Sequence, residues 1–244
     1  VNRKDSTHIA SENSKIMVGC DGINSITRAR YNPNESLANW SGIMMWRGTS
    51  RVKKFLGGKT MIMVGQKSQK FVAYPIHEFS DGDVLINWIC DLKFTDDYKW
   101  SQQDWNKKGN LTELWPHFKA WSFSWLDIAS VIKKTKDIYK YPMVDRDPLT
   151  KWGYGRVTLL GDAAHPMYPI GSNGASQAIL DAHALTESHA DGAGDVHGAL
   201  KSYEAKRLPA TAALVAASRR QGPEQVMQMV EERAPNGFER LEDV

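Results

Sequence analysis

The sequence predicts a mixed α/β fold, α+β overall, in which a parallel-sheet α/β domain is interrupted by a mainly antiparallel sheet. Three observations carry that prediction. A strand, an acid, a glycine-rich loop and a helix follow one another between Gly155 and Ala182; a second short strand ends in an acid at Asp21; and four strand candidates separated by tight-turn signals lie between them.

Val1 to Ser14 is polar with neither helical nor strand period, so no element is expected there. Ile16 to Cys20 suits a short strand, and it ends in Asp21-Gly22, a dipeptide that alone reads equally well as a turn. Ser25 is placed to cap a helix over Ile26 to Tyr31, because its hydroxyl can accept a bond from an unpaired first-turn N–H. Asn32 to Ser41 has linker composition and marks the crossing into a second domain. Residues 1–36 and 149–222 are expected to form one domain, 37–148 the other, and 223–244 a tail.

Four strands are expected next, over Ile43 to Thr49, Thr60 to Val64, Phe71 to Ile76 and Val84 to Cys90, with turns at Gly57-Gly58 and Asp81-Gly82. Met45, Arg47, Val72, Tyr74, Ile86 and Trp88 alternate along three of them. Such side chains can line an apolar, aromatic pocket or simply make core. Arg47 differs from the rest, since a cation in an apolar strand can clamp a carboxylate bidentately or pair with a neighbouring acid. Lys99 to Trp125 holds Trp100, Trp105, Trp115, Trp121 and Trp125, with Leu111, Leu114 and Phe118 at helical spacing. We read it as a helix packed on a sheet in preference to a single-stranded nucleic-acid platform. A helix over Ser124 to Ile132 and a strand over Asp137 to Met143 complete the insertion.

Arg156 to Leu160 is β-branched and apolar, as a buried parallel strand should be. It ends at Gly161-Asp162, and an acid at the carboxyl end of such a strand lies where ligands bind in open α/β sheets and can accept hydrogen bonds from a ribose-like polyol. The following loop contains Pro166, Pro169, Gly171 and Gly174, and from Ala175 onward Ala178, Ile179, Ala182 and Leu185 recur at helical spacing. Gly171-Ser172-Asn173-Gly174 is thereby delivered to a helix N-terminus, where unpaired N–H groups favour an anionic ligand group and glycine admits a flat ring. Asp162 and His165 form a DxxH, but two ligands without a third make a weak metal site, and no metal is assigned. Val196 to Arg220 has a helical pattern that Pro209 should kink or break, and Gln221 to Val244 reads as a helical or frayed tail.

With 244 residues, 41% of them hydrophobic and 24% charged, the chain can bury a sizeable core. A net charge of +3 argues for neither nucleic acid nor an anionic membrane. Cys20 and Cys90 sit in no CxxC or Cys/His pattern, so neither a disulfide framework nor a zinc site is indicated. No apolar run reaches the ~18 residues of a membrane span, and neither a Ser nucleophile elbow nor a P-loop is present. A soluble, cytoplasmic protein is the expectation.

Gly155 to Ala182, GRVTLLGDAAHPMYPIGSNGASQAILDA, resembles the second flavin-binding motif of the single-component, FAD-dependent aromatic-ring monooxygenases, whose fold is shared with p-hydroxybenzoate hydroxylase. Asp21-Gly22, followed by Ser25 and Arg28, resembles the family's Asp-Gly motif. Met44-Met-Trp-Arg-Gly48, Phe71-Val-Ala-Tyr-Pro-Ile76 and Tyr141-Pro-Met-Val-Asp-Arg-Asp-Pro148 are similar to the phenazine-modifying branch, that of the 5-methylphenazine-1-carboxylate 1-monooxygenases. The family's N-terminal GxGxxG unit has no counterpart here, and the resemblance implies a glutathione-reductase-like FAD/NAD(P)-binding domain incomplete at its N-terminus, with an inserted substrate domain. A natural short form is the other reading.

The resemblance implies FAD as cofactor, NADH or NADPH as co-substrate, and O2 and a small phenazine- or salicylate-like aromatic as substrates, with hydroxylation through a flavin C4a-hydroperoxide. It assigns FAD contacts to Asp21, Gly22, Arg28, Gly161, Asp162, Pro169, Gly171, Ser172, Asn173, Gly174 and Ala175. The Pro169 carbonyl would face the reacting oxygen, Asp162 the ribityl chain, and the amides of Gly171 to Ala175 the flavin's N1/C2=O edge. His165 would pack the loop beside the flavin, and one face of the inserted sheet would roof it. A reductase or halogenase on the same fold, and a catalytically silent binding module, are the competing readings. Neither a nucleic-acid partner nor an integral membrane segment is expected, and the sequence sets no oligomeric state.

Overall fold

The computed structural model describes residues 12–95, 97–100, 107–192, 194–220, 222, 224–240 and 242. In chain order its elements are β1 (Met17–Gly19), α1 (Ile26–Tyr31), β2 (Asn39–Lys53), a 3-10 turn at Leu56–Gly58, β3 (Ile62–Gln66), β4 (Gln69–Glu78) and β5 (Asp83–Lys93). There follow α2 (Leu111–Phe118), β6 (Ser122–Phe123), β7 (Leu126–Asp127), α3 (Ile128–Lys133), β8 (Tyr139–Asp145), β9 (Val157–Leu159), a 3-10 turn at Gly161–Ala163, α4 (Gly174–Asp191), α5 (Val196–Arg220) and α6 (Glu224–Arg233). The chain divides into two compact units, Val1–Asn39 with Asp145–Arg220, and Trp40–Val144 with Gln221–Val244.

In the first unit β1 and β9 pair in parallel, from Met17 with Val157 to Gly19 with Leu159. A Cβ on Gly19 would stand 2.9 Å from the Thr27 side chain, so glycine is what lets α1 lie close to the strand. The Ser25 hydroxyl accepts from the Arg28 amide at 2.8 Å and caps α1 where the sequence places the cap. α4 and α5 pack on one another, and Trp152, Leu159, Ala163, Ala184 and Tyr203 form the core. The Tyr203 hydroxyl donates to the Leu159 carbonyl at 3.0 Å, and Glu204 accepts from the amides of Trp152 and Gly153, each at 2.6 Å. Of the kink or break expected at Pro209, the break does not occur, and α5 runs through it. Proline removes one N–H from the ladder, while Arg207 and Arg219, on either side, tie the helix to Asp181 and Asp145.

The second unit is a five-stranded sheet in the order β3-β4-β5-β2-β8. β3 with β4, β4 with β5, and β2 with β5 are antiparallel. The strands outrun their expected ends because the ladder continues through charged residues, as where Asp83 on β5 accepts from Arg51 at 3.1 Å and from Lys53 at 2.8 Å on β2. α2 and α3 contribute Leu114, Phe118, Ile128 and Ile132 to a core that includes Trp46, Phe71, Ile86 and Trp88. A helix over Ser124 to Ile132 was the expectation; the structure has a β6–β7 hairpin, and α3 begins only at Ile128. Asp127 caps it, its Oδ1 accepting from the Ser130 amide at 3.1 Å, and a cap must lie outside the helix it serves. Trp105 and most of Val1 to Ser14 fall outside the described residues. Among those described, no helix is long and apolar enough to cross a membrane.

Candidate functional site

β9 ends at Leu159, and the chain turns sharply at Gly161, whose φ of 63° is left-handed. The Gly161 carbonyl then accepts from the amides of Ala164 and His165 at 2.8 and 2.9 Å, closing the turn that presents Asp162. Gly161, Ala163, His165 and Tyr168 are buried, whereas Asp162, Pro169, Gly171, Ser172 and Ala175 are exposed. The loop is therefore fastened from below and open above. Although the Asp162 side chain reaches solvent, surrounding protein removes part of its hydration and raises its carboxyl pKa, an effect that nearby His165 opposes.

A second turn precedes α4, with the Ser172 amide donating to the Pro169 carbonyl at 3.1 Å. Gly171 has φ 81° and Ser172 φ 55°, the latter a left-handed conformation that a non-glycine residue rarely adopts. The Asn173 side chain makes no capping bond. A helix start without a side-chain cap leaves first-turn N–H groups to other acceptors. A Cβ on Gly174 would meet only Asp162 Oδ1, at 3.8 Å. The strand-end carboxylate and the helix start thus face a common space, as the sequence suggests.

The fastening below depends on Asp181, which sequence reasoning missed. Asp181 is fully buried; its Oδ2 lies 2.5 Å from His165 Nε2 and 3.0 Å from the Gly161 amide, and its Oδ1 lies 2.7 Å from Arg207 Nε. Burial alone would raise its carboxyl pKa, but the bonds from His165 and Arg207 outweigh that and hold it below the ordinary value. A signal was available, because Asp181 stands between Ala178 and Leu185 at the spacing of the helix's inward face, where an acid requires a buried partner. His165 is thus taken up by Asp181, and among the described residues no group of three His, Cys, Asp or Glu could hold a metal ion.

In the Asp-Gly motif, Asp21 Oδ1 accepts from the Ser25 hydroxyl at 2.5 Å, and Oδ2 from the Thr27 amide and hydroxyl at 3.1 and 3.2 Å. Desolvation pushes the Asp21 carboxyl up, but these bonds prevail and lower it. Gly22, at φ 76°, turns the chain so that its carbonyl accepts from the Ser25 amide at 2.9 Å. Arg28 requires a correction. It is 1% exposed, and its five N–H donors are all taken. Nε and Nη2 bond the Glu35 carboxylate, Nη2 also the Asp147 carbonyl, and Nη1 the carbonyls of Ala163 and Ala164. Nothing remains for a cofactor, so Arg28 is the tie that joins the two motif loops.

The six pocket candidates of the sheet also divide. Ile86 and Trp88 are fully buried in the helix-covered core, where the Trp88 indole donates to Ser50 and Thr135 at 3.2 and 2.9 Å. A Cβ on Gly48 would lie 2.6 Å from that indole, which explains the glycine of Trp46-Arg47-Gly48. Met45, Arg47, Val72 and Tyr74 lie on the opposite face, with Asn87 and Ile89. A bulge between Pro75 and His77 shifts the β4–β5 register by one residue, so Tyr74 stands opposite Asn87 instead of Trp88. Among the described residues no ion pair of Arg47 with an acid is seen, and its Nε donates to Asn87 Oδ1 at 2.6 Å.

Comparison with known proteins places these features in context. A family model described as FAD binding domain matches residues 3–218. The phenazine 1,6-dicarboxylic acid hydroxylase PhzS of Lysobacter antibioticus is 44% identical over 206 residues, which are 83% of this chain and 50% of that protein. The 3-amino-4-hydroxybenzoate 2-monooxygenase PtmB3 of Streptomyces platensis is 29% identical over 242 residues, 96% of this chain and 58% of the relative. The crystal structure of Klebsiella pneumoniae HpxO complexed with FAD and uric acid superposes with a TM-score of 0.74 at 20% identity, over 97% of this chain and 59% of that one. The chain spans about half the length of the curated relatives it matches.

Proposed function

The chain belongs to the FAD-binding domain family, and from that premise we propose that it contributes the strand-end acid, the helix-start loop and the substrate sheet of an FAD-dependent monooxygenase that hydroxylates an aromatic compound. One observation carries the reading. The exposed Asp162 carboxylate and the start of α4 face the same space, with Asp162 Oδ1 3.8 Å from where a Cβ on Gly174 would stand.

The residues fit such a cofactor. Asp162 is an acceptor suited to the hydroxyls of a ribityl chain, and of the amides of Gly171 to Ala175, those other than Ser172, which donates to the Pro169 carbonyl, are donors suited to the electron-rich carbonyl edge of a flavin ring. Glycines at 171 and 174 keep side chains out of the ring's path. Pro169 is exposed, and its carbonyl, which accepts from the Ser172 amide, keeps a second lone pair for the reacting oxygen. Asp21 and Gly22 would add their turn, and Arg28 acts from beneath by holding Ala163 and Ala164. When bound and reduced by NADH or NADPH, the flavin supplies O2 activation and transfer of one oxygen atom to an electron-rich ring. The protein's part is to bind, orient and exclude water, and Met45, Val72, Tyr74 and Arg47, on the sheet face opposite Ile86 and Trp88, are the side chains we assign to the aromatic substrate. The relatives named for phenazine and aminohydroxybenzoate substrates support an aromatic acid as the substrate class.

An FAD titration followed by flavin fluorescence tests this. Asp162 is exposed, so Asp162→Ala should leave folding intact while weakening binding about tenfold, the value of one good hydrogen bond. Equal affinities would remove the assigned role.

A further inference from the structure

Packing accounts for only part of the tryptophan- and lysine-rich stretch that ends at Trp125. Trp121 turns inward, its ring meeting that of Phe118 at 4.9 Å, as a helix layer laid on a sheet requires. Two aromatic side chains of the same stretch do the opposite. Phe123 and Trp125, on the β6–β7 hairpin, are 39% and 38% exposed and stack on one another with ring centroids 5.4 Å apart. Trp125 also meets Phe55, at 6.1 Å, which brings the hairpin beside the turn that follows β2. There Leu56 is 50% exposed and held at φ 44°, a left-handed backbone that leucine rarely adopts. One exposed apolar side chain is ordinary, but three on two neighbouring loop tips, one of them on strained backbone, call for a function.

The charge around these tips narrows that function. A net charge of +3 spread over the chain would favour no anionic partner, but it is not spread. Residues 107–140, which include α2, the hairpin and α3, hold seven lysines and three acids, a net charge of +4 where the whole chain has +3. Lys108 and Lys140 pair with Asp137 and Glu113, and the third acid, Asp127, caps α3. Lys119, Lys133, Lys134 and Lys136 are exposed and form no ion pair among the described residues. Cations at the ends of α2 and α3 suit the helix dipoles, which gives a local reason for Lys119, Lys133 and Lys134. That reason extends neither to Lys136 nor to the exposed aromatic pair.

Ammonium groups beside exposed aromatic and aliphatic side chains match a partner that is anionic at its face and apolar just beneath it. Tryptophan, phenylalanine and leucine lodge in the interfacial layer of a bilayer, while lysines are drawn to anionic headgroups. A single-stranded nucleic acid needs ring faces free for its bases, whereas Phe123 and Trp125 occupy a face each with one another. We propose that the β6–β7 hairpin and the turn at Leu56–Gly58 dock this chain on an anionic lipid surface. Leu56, Phe123 and Trp125 enter the interface, and Lys119, Lys133, Lys134 and Lys136 meet the headgroups. The contact is peripheral, crosses no bilayer and uses none of the residues assigned to the flavin.

The test is flotation of the full chain with vesicles of phosphatidylcholine alone or mixed with phosphatidylglycerol, with tryptophan emission as a second readout. The native protein should float with the mixed vesicles at low salt, shift its emission to shorter wavelength, and be released at high salt. Replacing Lys133, Lys134 and Lys136 together by Gln should weaken binding about a hundredfold, the usual combined contribution of three lysines near such a surface. Leu56→Asn should weaken it about tenfold through lost apolar contact. Asparagine adopts left-handed backbone readily, so this variant keeps the fold and the test stays decisive if the lysine variant folds poorly. Flotation with neither vesicle, equal flotation with both, binding unchanged in both variants, or retention on single-stranded DNA without flotation would overturn the assignment.

Discussion

Replacing Arg28 by Met separates a structural tie from a cofactor ligand. Methionine fills much of the same volume but supplies none of the five donors. Among the described residues it leaves the Glu35 carboxylate, 15% exposed, with Arg146 at 3.7 Å as its cation, and it strips donors from the carbonyls of Ala163, Ala164 and Asp147. Removing one partner of a buried ion pair costs about 3–5 kcal/mol. Against a typical domain stability of about 5–15 kcal/mol, that is a large share. Arg28→Lys, which keeps the charge but cannot fork among four acceptor groups, should cost less, about 2 kcal/mol. The assay is amide hydrogen exchange in peptides covering Val157–Leu159 and Gly174–Asp191. At about 1.4 kcal/mol per decade, a loss of 3 kcal/mol raises the open population more than a hundredfold. If Arg28 instead contacts the cofactor, exchange in these peptides will be native-like and only FAD affinity will fall. That pattern would refute the assignment.

Four further outcomes follow from the same geometry. Gly161→Ala forces alanine to φ 63° with its Cβ 3.2 Å from that of Ala178, and should cost about 1–2 kcal/mol in urea unfolding. Gly174→Ala meets only Asp162 Oδ1 and should unfold like the native protein while binding FAD more weakly; a normal FAD affinity would argue against a ligand close to the start of α4. Gly48→Ala drives a methyl against the Trp88 indole and should destabilise the sheet unit by about 1–3 kcal/mol, measured by the urea midpoint. Because native Asp181 and Asp21 titrate below their ordinary value of 3.8, their stabilisation is complete above that value and fades as pH falls through the depressed native values. Stability should therefore fall in acid, less steeply in Asp181→Asn, and parallel curves for the two proteins from pH 5 to 2 would contradict this.

The loops of the candidate site were legible because their signals are local. An apolar run ending in an acid, left-handed glycines and a helix start all lie within Arg156 to Ala182. The use of Arg28 was not legible, since its guanidinium reaches carbonyls 135 and 136 residues away. Asp181 lies between these cases; its place on the inward face is visible in the sequence, but its partner Arg207 is not. On the sheet, alternation within each strand was read correctly and still mixed the two faces. Side-chain parity belongs to a strand, whereas register belongs to a pair of strands, and the bulge after Pro75 changes the register by one residue. Ile86 and Trp88 lie in the core because β2 places Ser50 and Gly48, not Arg47 or Met45, opposite them; the bulge decides the face of Val72 and Tyr74.

The way the inserted segment closes on itself bears on how the interrupted unit can form. The Ser41 hydroxyl donates to the Met143 carbonyl at 3.1 Å, so residues 102 apart in the chain meet where the insertion begins and ends. To the segments on either side, a folded insertion behaves as a tight connection of a few residues, and pairing β1 with β9 no longer requires closure of a long, disordered loop. The connection between β1 and β9 shortens from about 140 to about 36 residues, and at about 0.6 kcal/mol per doubling of loop length this lowers the closure cost by about 1 kcal/mol. The antiparallel sheet should accordingly fold first, and a variant that slows its formation should delay the parallel pair by the same factor.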